Sequence, residues 1–120
     1  MFGVLDNPAR EASWHFSVMK NGQVYQHVDS VNIAWTNGSY TANKKFWGVE
    51  VEGVAGEAHT SQQIAALGAL IKWLWQTHGV PSGFVRGTTL WEHNEMTTFG
   101  SLATACPSGR NNWPAIITAI

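Results

Sequence analysis

The strongest structural signal in this chain is residues 60–81, which read TSQQIAALGALIKWLWQTHGVP. Thr60 and Gln63 form the pattern of a capping box, in which two side chains bond free backbone N–H groups at a helix start. Gly79 favours a helix end because glycine tolerates the left-handed conformation. The stretch predicts one long helix, with Trp73 and Trp75 in the core. Its apolar residues recur at helical spacing, at Ile64, Leu67, Leu70, Ile71 and Leu74.

Two strands joined by a hairpin are predicted before this helix. Residues 13–19 and 23–28 form the strands, and Asn21-Gly22 between them favours a tight turn because both positions tolerate a positive φ. Residues 29–45 are rich in Asn, Ser, Thr and Gly and have little periodicity, which predicts a long surface loop.

A third strand and a short final helix complete the predicted elements. Residues 46–54 alternate, with Val49 and Val51 on one face and Glu50 on the other. Pro114 favours the first turn of a helix, where its missing N–H costs nothing.

Composition predicts a single compact domain over the whole chain. The chain has 120 residues, of which 44% are hydrophobic and 12% are charged. The net charge of −1 and the scattered basic residues argue against a nucleic-acid partner. No apolar run approaches the roughly 18 to 20 residues that span a bilayer, and no export signal is evident. The lone Cys106 cannot form an internal disulfide, so packing or a metal must stabilise the domain.

Tryptophan is unusually frequent, with seven residues in 120. Aromatic rings offer flat apolar faces with a polar edge, which suit carbohydrate rings. Trp14, Trp35 and Trp91 are therefore candidates for substrate binding, and core packing is an equally good interpretation of each.

His93 and Cys106 are candidate metal ligands, thirteen positions apart in a segment of small polar residues. A neutral imidazole and a thiolate both bind zinc well, and a catalytic zinc usually has three protein ligands and one water. The pair alone is weak evidence, because a single His often has a structural role and a single Cys often packs as a small core residue.

Five segments occur in an informative order. They are ASWHF at 12–16, NGQVYQ at 21–26, WGVEVEG at 47–53, the helix at 63–74, and His93 followed by TACP at 104–107. In order and spacing they resemble the type 2 N-acetylmuramoyl-L-alanine amidase and peptidoglycan-recognition family, which includes phage endolysins. The resemblance implies an α/β fold with a mixed central β-sheet flanked by helices.

The resemblance also implies a zinc-dependent enzyme that hydrolyses the amide bond between N-acetylmuramic acid and L-alanine in peptidoglycan. His93 matches the family's second zinc histidine, and Cys106 matches its third ligand. Thr104 matches a position that polarises the scissile carbonyl or holds its oxyanion. Glu50 matches the carboxylate that activates water in several bacterial members. Trp14 stands where a tyrosine is common and cannot offer a phenolic oxygen.

The surroundings of Glu50 support its role as a base, which must take a proton from water and deliver it to the leaving amine. Glu50 lies between Val49 and Val51 on a strand that we expect to be central, and such surroundings raise the pKa of a carboxyl group. A solvated carboxylate on an edge strand is the alternative, and it fits Glu52 better.

The chain departs from the family pattern near its start. Relatives carry their first zinc histidine some tens of residues before the segment that matches residues 13–16, and the twelve residues present there include no histidine. We therefore expect one ligand and its strand to be missing. Either another polypeptide supplies them, or His59 replaces the ligand, or the chain binds peptidoglycan without cutting it. A structural protein built on this fold is a further alternative.

The expected partner is peptidoglycan, and the expected place of action is the bacterial cell wall. With no export signal, the protein is expected in the bacterial cytoplasm before release, as for a phage enzyme.

Overall fold

A computed structural model describes residues 14–34, 46–79, 85–101 and 103–120. The elements in chain order are β1 (Phe16–Val18), β2 (Val24–Gln26), β3 (Val49–Val51), α1 (Ser61–His78), a 3₁₀ helix (His93–Phe99) and α2 (Trp113–Ala119). These elements confirm the expected α/β fold with a mixed sheet and helices. The 3₁₀ helix was not predicted, although Gly100 marks its end with a φ of +92°.

The sheet has the strand order β2-β1-β3. Strand β1 is buried throughout and pairs antiparallel with β2 and parallel with β3. In the register of the parallel pair, Ser17 lies opposite Glu50. The prediction that the strand of Glu50 is central is wrong for the described strands, because β3 lies at one end of this order. Alternation along a strand shows which face is apolar and cannot show how many neighbours the strand has.

The hairpin between β1 and β2 forms as predicted, but its turn differs. Gly22 donates its N–H to the Met19 carbonyl at 2.8 Å, and Met19 donates to the Gln23 carbonyl at 2.8 Å. Only Gly22 of the Asn-Gly pair has a positive φ, at +87°. The Asn21 side-chain oxygen accepts the Gln23 N–H at 2.9 Å. The side chain of asparagine therefore closes a three-residue connection, in place of a two-residue turn with two positive φ angles.

Helix α1 begins and ends at the residues that its sequence indicates. Thr60 Oγ1 accepts the Gln63 N–H at 3.1 Å, and Gln63 Oε1 accepts the Thr60 N–H at 2.9 Å, which completes the capping box. Gly79 adopts the left-handed conformation and donates to the Trp75 carbonyl. The buried Gln63 side chain also donates to the Glu52 carbonyl at 2.8 Å, which fixes the helix start against the segment after β3.

The core lies between β1, α1 and α2. The prediction that Trp73 and Trp75 lie in it is wrong, because these side chains are 44% and 37% exposed. Three leucines lie on the buried side of the helix, and the Trp73 ring packs nearly perpendicular to the Phe16 ring, with centroids 6.1 Å apart. The buried core residues are Phe16, Val18, Leu67, Leu70, Leu74 and Ile116.

The two α-helices meet at Gly68. A Cβ atom at this position would lie 2.6 Å from the carbonyl oxygen of Ala119. We expect Gly68→Ala to destabilise the domain by about 1–3 kcal/mol, because the two backbones must separate. Urea unfolding would measure this change. Helix propensity alone favours alanine by about 1 kcal/mol, so a more stable Gly68→Ala variant would contradict the close contact.

The loop predicted over residues 29–45 contains no helix or strand in residues 29–34, and residues 35–45 lie outside the described part. The final helix, predicted near Pro114, is α2 and has this proline in its first turn. None of the helices in the described ranges combines the length and the apolarity needed to span a membrane.

Candidate active site

A cavity of about 720 Å³ brings together residues from distant parts of the chain. Thr104 is not among the described residues that line it. Trp35 lies outside the described residues. The predicted site residues that line the cavity are Trp14, Glu50, Trp91, His93 and Cys106.

His93 and Cys106 reach this cavity from two neighbouring segments. His93 is the first residue of the 3₁₀ helix, and the next residue, Asn94, donates its N–H to the Cys106 carbonyl at 2.8 Å. Burial lowers the pKa of His93, which favours the neutral imidazole that metals bind. Burial raises the pKa of the Cys106 thiol; the charge of Glu50 adds to this effect and that of Arg110 opposes it.

The donor atoms of this pair fit zinc in kind and are too few in number. Imidazole nitrogen and thiolate sulfur are usual zinc ligands, but a catalytic zinc normally has three protein ligands. Among the residues that the structure describes, no three His, Cys, Asp or Glu side chains form a group that could hold a metal ion. The described residues therefore offer two matching ligands and lack a third.

His59 lines the same cavity, but both of its ring nitrogens have partners. Nε2 donates to Asn111 Oδ1 at 2.9 Å, and Nδ1 accepts from Arg110 Nη2 at 3.4 Å. Binding a metal through either nitrogen would break one of these hydrogen bonds. This arrangement disfavours His59 as a replacement ligand.

Glu50 lines the cavity together with its neighbours Val49 and Val51, which also pack against the core. The alternation of β3 places the Glu50 side chain on the opposite face of the strand from these two valines. Burial raises its pKa, and the positive charge of Arg110 partly offsets this shift. The direction of the shift is the one expected from the sequence. Its cause is burial at the cavity wall, since the strand has no central position among the described strands.

Thr104 precedes the cavity residue Cys106 by two positions and bonds its backbone. Its hydroxyl oxygen accepts the Cys106 N–H at 3.2 Å, and the residue is half-buried. The role of Thr104 at the scissile carbonyl stays a prediction.

The two described candidate tryptophans differ in their availability. Trp14 is only 7% exposed, and its indole N–H donates to Ser17 Oγ at 2.8 Å. Trp91 is half-buried and packs against Phe46 and Phe99, with ring centroids 5.8 and 5.3 Å away. Phe46 lines the cavity beside Trp91. Trp91 is therefore better placed than Trp14 to contact a ligand.

A polar network on the cavity wall was not identified from the sequence. Glu92 Oε1 accepts from the Trp113 indole N–H at 2.6 Å and from Asn111 Nδ2 at 3.5 Å, and Asn111 also bonds His59. Arg110 completes the network through His59. The positions of these residues in the sequence could have indicated the network, because Glu92 directly precedes His93 and the polar residues 108–112 directly follow Cys106-Pro107.

A mixed α/β domain whose cavity presents a carboxylate, an imidazole and a thiol fits a hydrolytic enzyme domain. The sequence model of the N-acetylmuramoyl-L-alanine amidase family matches residues 3–109, and the chain belongs to this family. A search of curated proteins found no match.

Two solved structures are similar to this chain. The N-acetylmuramoyl-L-alanine amidase LysC from Clostridium intestinale URNW is 23% identical with a TM-score of 0.66, and the match covers 88% of this chain and 62% of that one. The endolysin N-acetylmuramoyl-L-alanine amidase LysCS from the same organism is also 23% identical with a TM-score of 0.66, over 88% of this chain and 60% of that one. The likeness confirms the fold. The chain spans about three fifths of the length of each structure.

Proposed function

We propose that this domain is a zinc-dependent amidase that cuts peptidoglycan between the lactyl group of N-acetylmuramic acid and L-alanine. The observation that carries the proposal is that Glu50, His93 and Cys106 line one cavity in a chain of the amidase family. The names of the two similar structures, both amidases and one an endolysin, support it. The place of action would be the bacterial cell wall.

The cavity residues divide the chemical work. His93 and Cys106 would hold the metal together with a ligand from outside the described residues. A bound zinc ion supplies Lewis acidity, which polarises a carbonyl and makes water more acidic. Glu50 takes the proton of the attacking water and delivers it to the amide nitrogen that leaves. Thr104 is proposed to orient the scissile carbonyl, and Trp91, Trp14 and Trp35 are proposed to contact the substrate.

Substitution of either ligand tests the metal site directly. We expect His93→Ala and Cys106→Ser each to weaken zinc binding by at least about 10-fold, since changes to residues that only support ligands already cost about 10- to 100-fold. Competition with a chromophoric chelator measures this affinity even if the wild-type chain binds zinc weakly.

His78→Ala is the matched control, because the His78 ring bonds Ser30 Oγ at 2.9 Å outside the cavity. It should leave zinc affinity unchanged. Equal zinc affinity in the wild-type, His93→Ala and Cys106→Ser chains would overturn the assignment of these ligands. Amidase activity is scored by the new L-alanine amino termini released from purified peptidoglycan, a product that a glycosidase does not form.

Peptidoglycan binding without hydrolysis is the second candidate function. The two-donor set found among the described residues favours it, because such a site would hold zinc poorly. Co-sedimentation with purified peptidoglycan, with no release of amino termini at saturating zinc, would establish this candidate in place of the first.

A further inference from the structure

The side chain of Arg110 holds three main-chain carbonyl groups at the end of β3 and in the loop that follows. Its Nη1 donates to the Val51 carbonyl at 3.0 Å, its Nη2 to the Glu52 carbonyl at 2.8 Å, and its Nε to the Glu57 carbonyl at 2.8 Å. A guanidinium has five N–H donors in one rigid plane, so a lysine cannot reproduce this set of contacts.

Gly53 makes room for this guanidinium group. A Cβ atom at position 53 would overlap the end of the Arg110 side chain, with Cζ only 2.8 Å away. Gly53 also has a φ of +143°, which side chains rarely tolerate. The hydrogen bond from Nη2 to His59 Nδ1, at 3.4 Å, adds a further contact.

These contacts connect the two segments that carry the proposed site. Arg110 follows Cys106 by four positions, and Val51 follows Glu50 directly. The Asn94 N–H, which donates to the Cys106 carbonyl, extends the connection to the residue beside His93. Arg110 lines the cavity with its hydrogen-bonding groups directed at the protein itself.

We propose that Arg110 is a positioning residue: it holds the Cys106 segment against the end of β3, and so fixes the placement of Cys106 and His93 relative to Glu50. The expected effect of Arg110 on catalysis rests on the proposed amidase function. Its expected effect on the placement of the two segments rests on the hydrogen bonds alone. The hydrogen bonds that Arg110 makes are to the protein, so its proposed role is to position other residues.

Amide hydrogen exchange tests the structural consequence without any assay of activity. In Arg110→Gln we expect exchange in residues 103–112 and 51–59 to accelerate by at least about 10-fold, because charge-assisted hydrogen bonds are lost. Exchange in β1 and in the core of α1 should not change. Gly53→Ala should have the same effect with the charge of Arg110 retained, since it displaces the guanidinium. Thermal melts establish that each variant folds, and Arg110→Lys replaces Arg110→Gln if the latter does not.

Kinetics and metal affinity test the positioning role. Arg110→Gln should lower kcat by at least about 10-fold with KM within about twofold, because an ordered site matters more to the reacting groups than to substrate binding. Ethylguanidine should partly restore kcat, and ethylamine should not.

Lys72→Gln is the matched control, because it also removes a single positive charge. Lys72 is exposed on α1 and does not line the cavity. This variant should keep kcat and the exchange rates of residues 51–59.

Unchanged exchange in the Arg110 and Gly53 variants would overturn the proposal, and so would faster exchange with an unchanged kcat. If the wild-type chain releases no amino termini at all, the proposed function fails separately. The affinity of the protein for zinc then replaces kcat as the measured quantity. We expect this affinity to fall by at least about 10-fold in Arg110→Gln. An affinity equal to that of the wild type would count against the positioning role.

Discussion

Replacing Glu50 with glutamine is expected to lower amidase turnover by about 100-fold or more, the usual contribution of a general base. The same change is expected to make the domain more stable at neutral pH. Glutamine keeps the shape of the side chain and cannot accept the proton of water. It also removes a carboxylate whose charged form is disfavoured by burial. Loss of activity together with a gain of stability separates this outcome from simple misfolding.

The sign of the stability change follows from the raised pKa of Glu50. The folded state binds the proton more tightly than the unfolded state, in which a glutamate titrates near about 4.3. Ionised Glu50 therefore costs stability above its folded pKa, and the wild-type protein recovers this stability as the pH falls through that pKa. The advantage of Glu50→Gln should be greatest at neutral pH and should vanish below about pH 4.3. Wild-type turnover should fall over the same range as the base becomes protonated.

Thermal unfolding at several pH values measures the change in stability. The release of L-alanine amino termini from peptidoglycan measures the change in turnover. Asp29→Asn is a control that changes a carboxylate to an amide on an exposed loop, where Asp29 Oδ1 accepts the Val31 N–H at 3.1 Å. It should leave turnover unchanged. Normal turnover in Glu50→Gln would mean that another group takes the proton.

Supplying a histidine-bearing N-terminal segment from a related amidase is expected to raise the zinc affinity of this chain by more than about 100-fold. The described residues provide only two ligands of the expected kind, His93 and Cys106. A complete structural zinc site binds with about 10–16 kcal/mol, so one ligand contributes on the order of 3 kcal/mol. Amidase activity should rise with zinc occupancy, and the chain alone should be weakly active.

The segment is fused to the chain or mixed with it, and the control is the same segment with its histidine replaced by alanine. Full activity and tight binding of one zinc by the chain alone would contradict the prediction. His59→Ala would then show whether His59 is the third ligand. If neither form binds zinc or releases amino termini, peptidoglycan binding without hydrolysis becomes the leading function, and co-sedimentation with the wall must then be observed.

Local chemistry was enough to predict the ends of α1 and the presence of the hairpin, but it did not predict the 3₁₀ helix at His93–Phe99. The capping box of Thr60 and Gln63 and the left-handed Gly79 set the ends of α1, and both depend on residues within a few positions of each other. The hairpin after β1 was predictable for the same reason. Family resemblance, which depends on the order of short motifs, placed Glu50, His93 and Cys106 in one site, and these residues line one cavity.

Tertiary structure decided which side chains have partners. His59 was a candidate replacement ligand in the sequence, yet its two ring nitrogens bond groups 52 and 51 positions away. Arg110 had no predicted role, yet its side chain bonds the Val51 carbonyl, 59 positions away in the sequence. The exposure of Trp73 and the end position of β3 depended in the same way on which elements pack together. Periodicity and capping report interactions within about one helical turn or one strand pair, whereas burial and hydrogen bonding at this site depend on contacts between segments that are distant in the sequence.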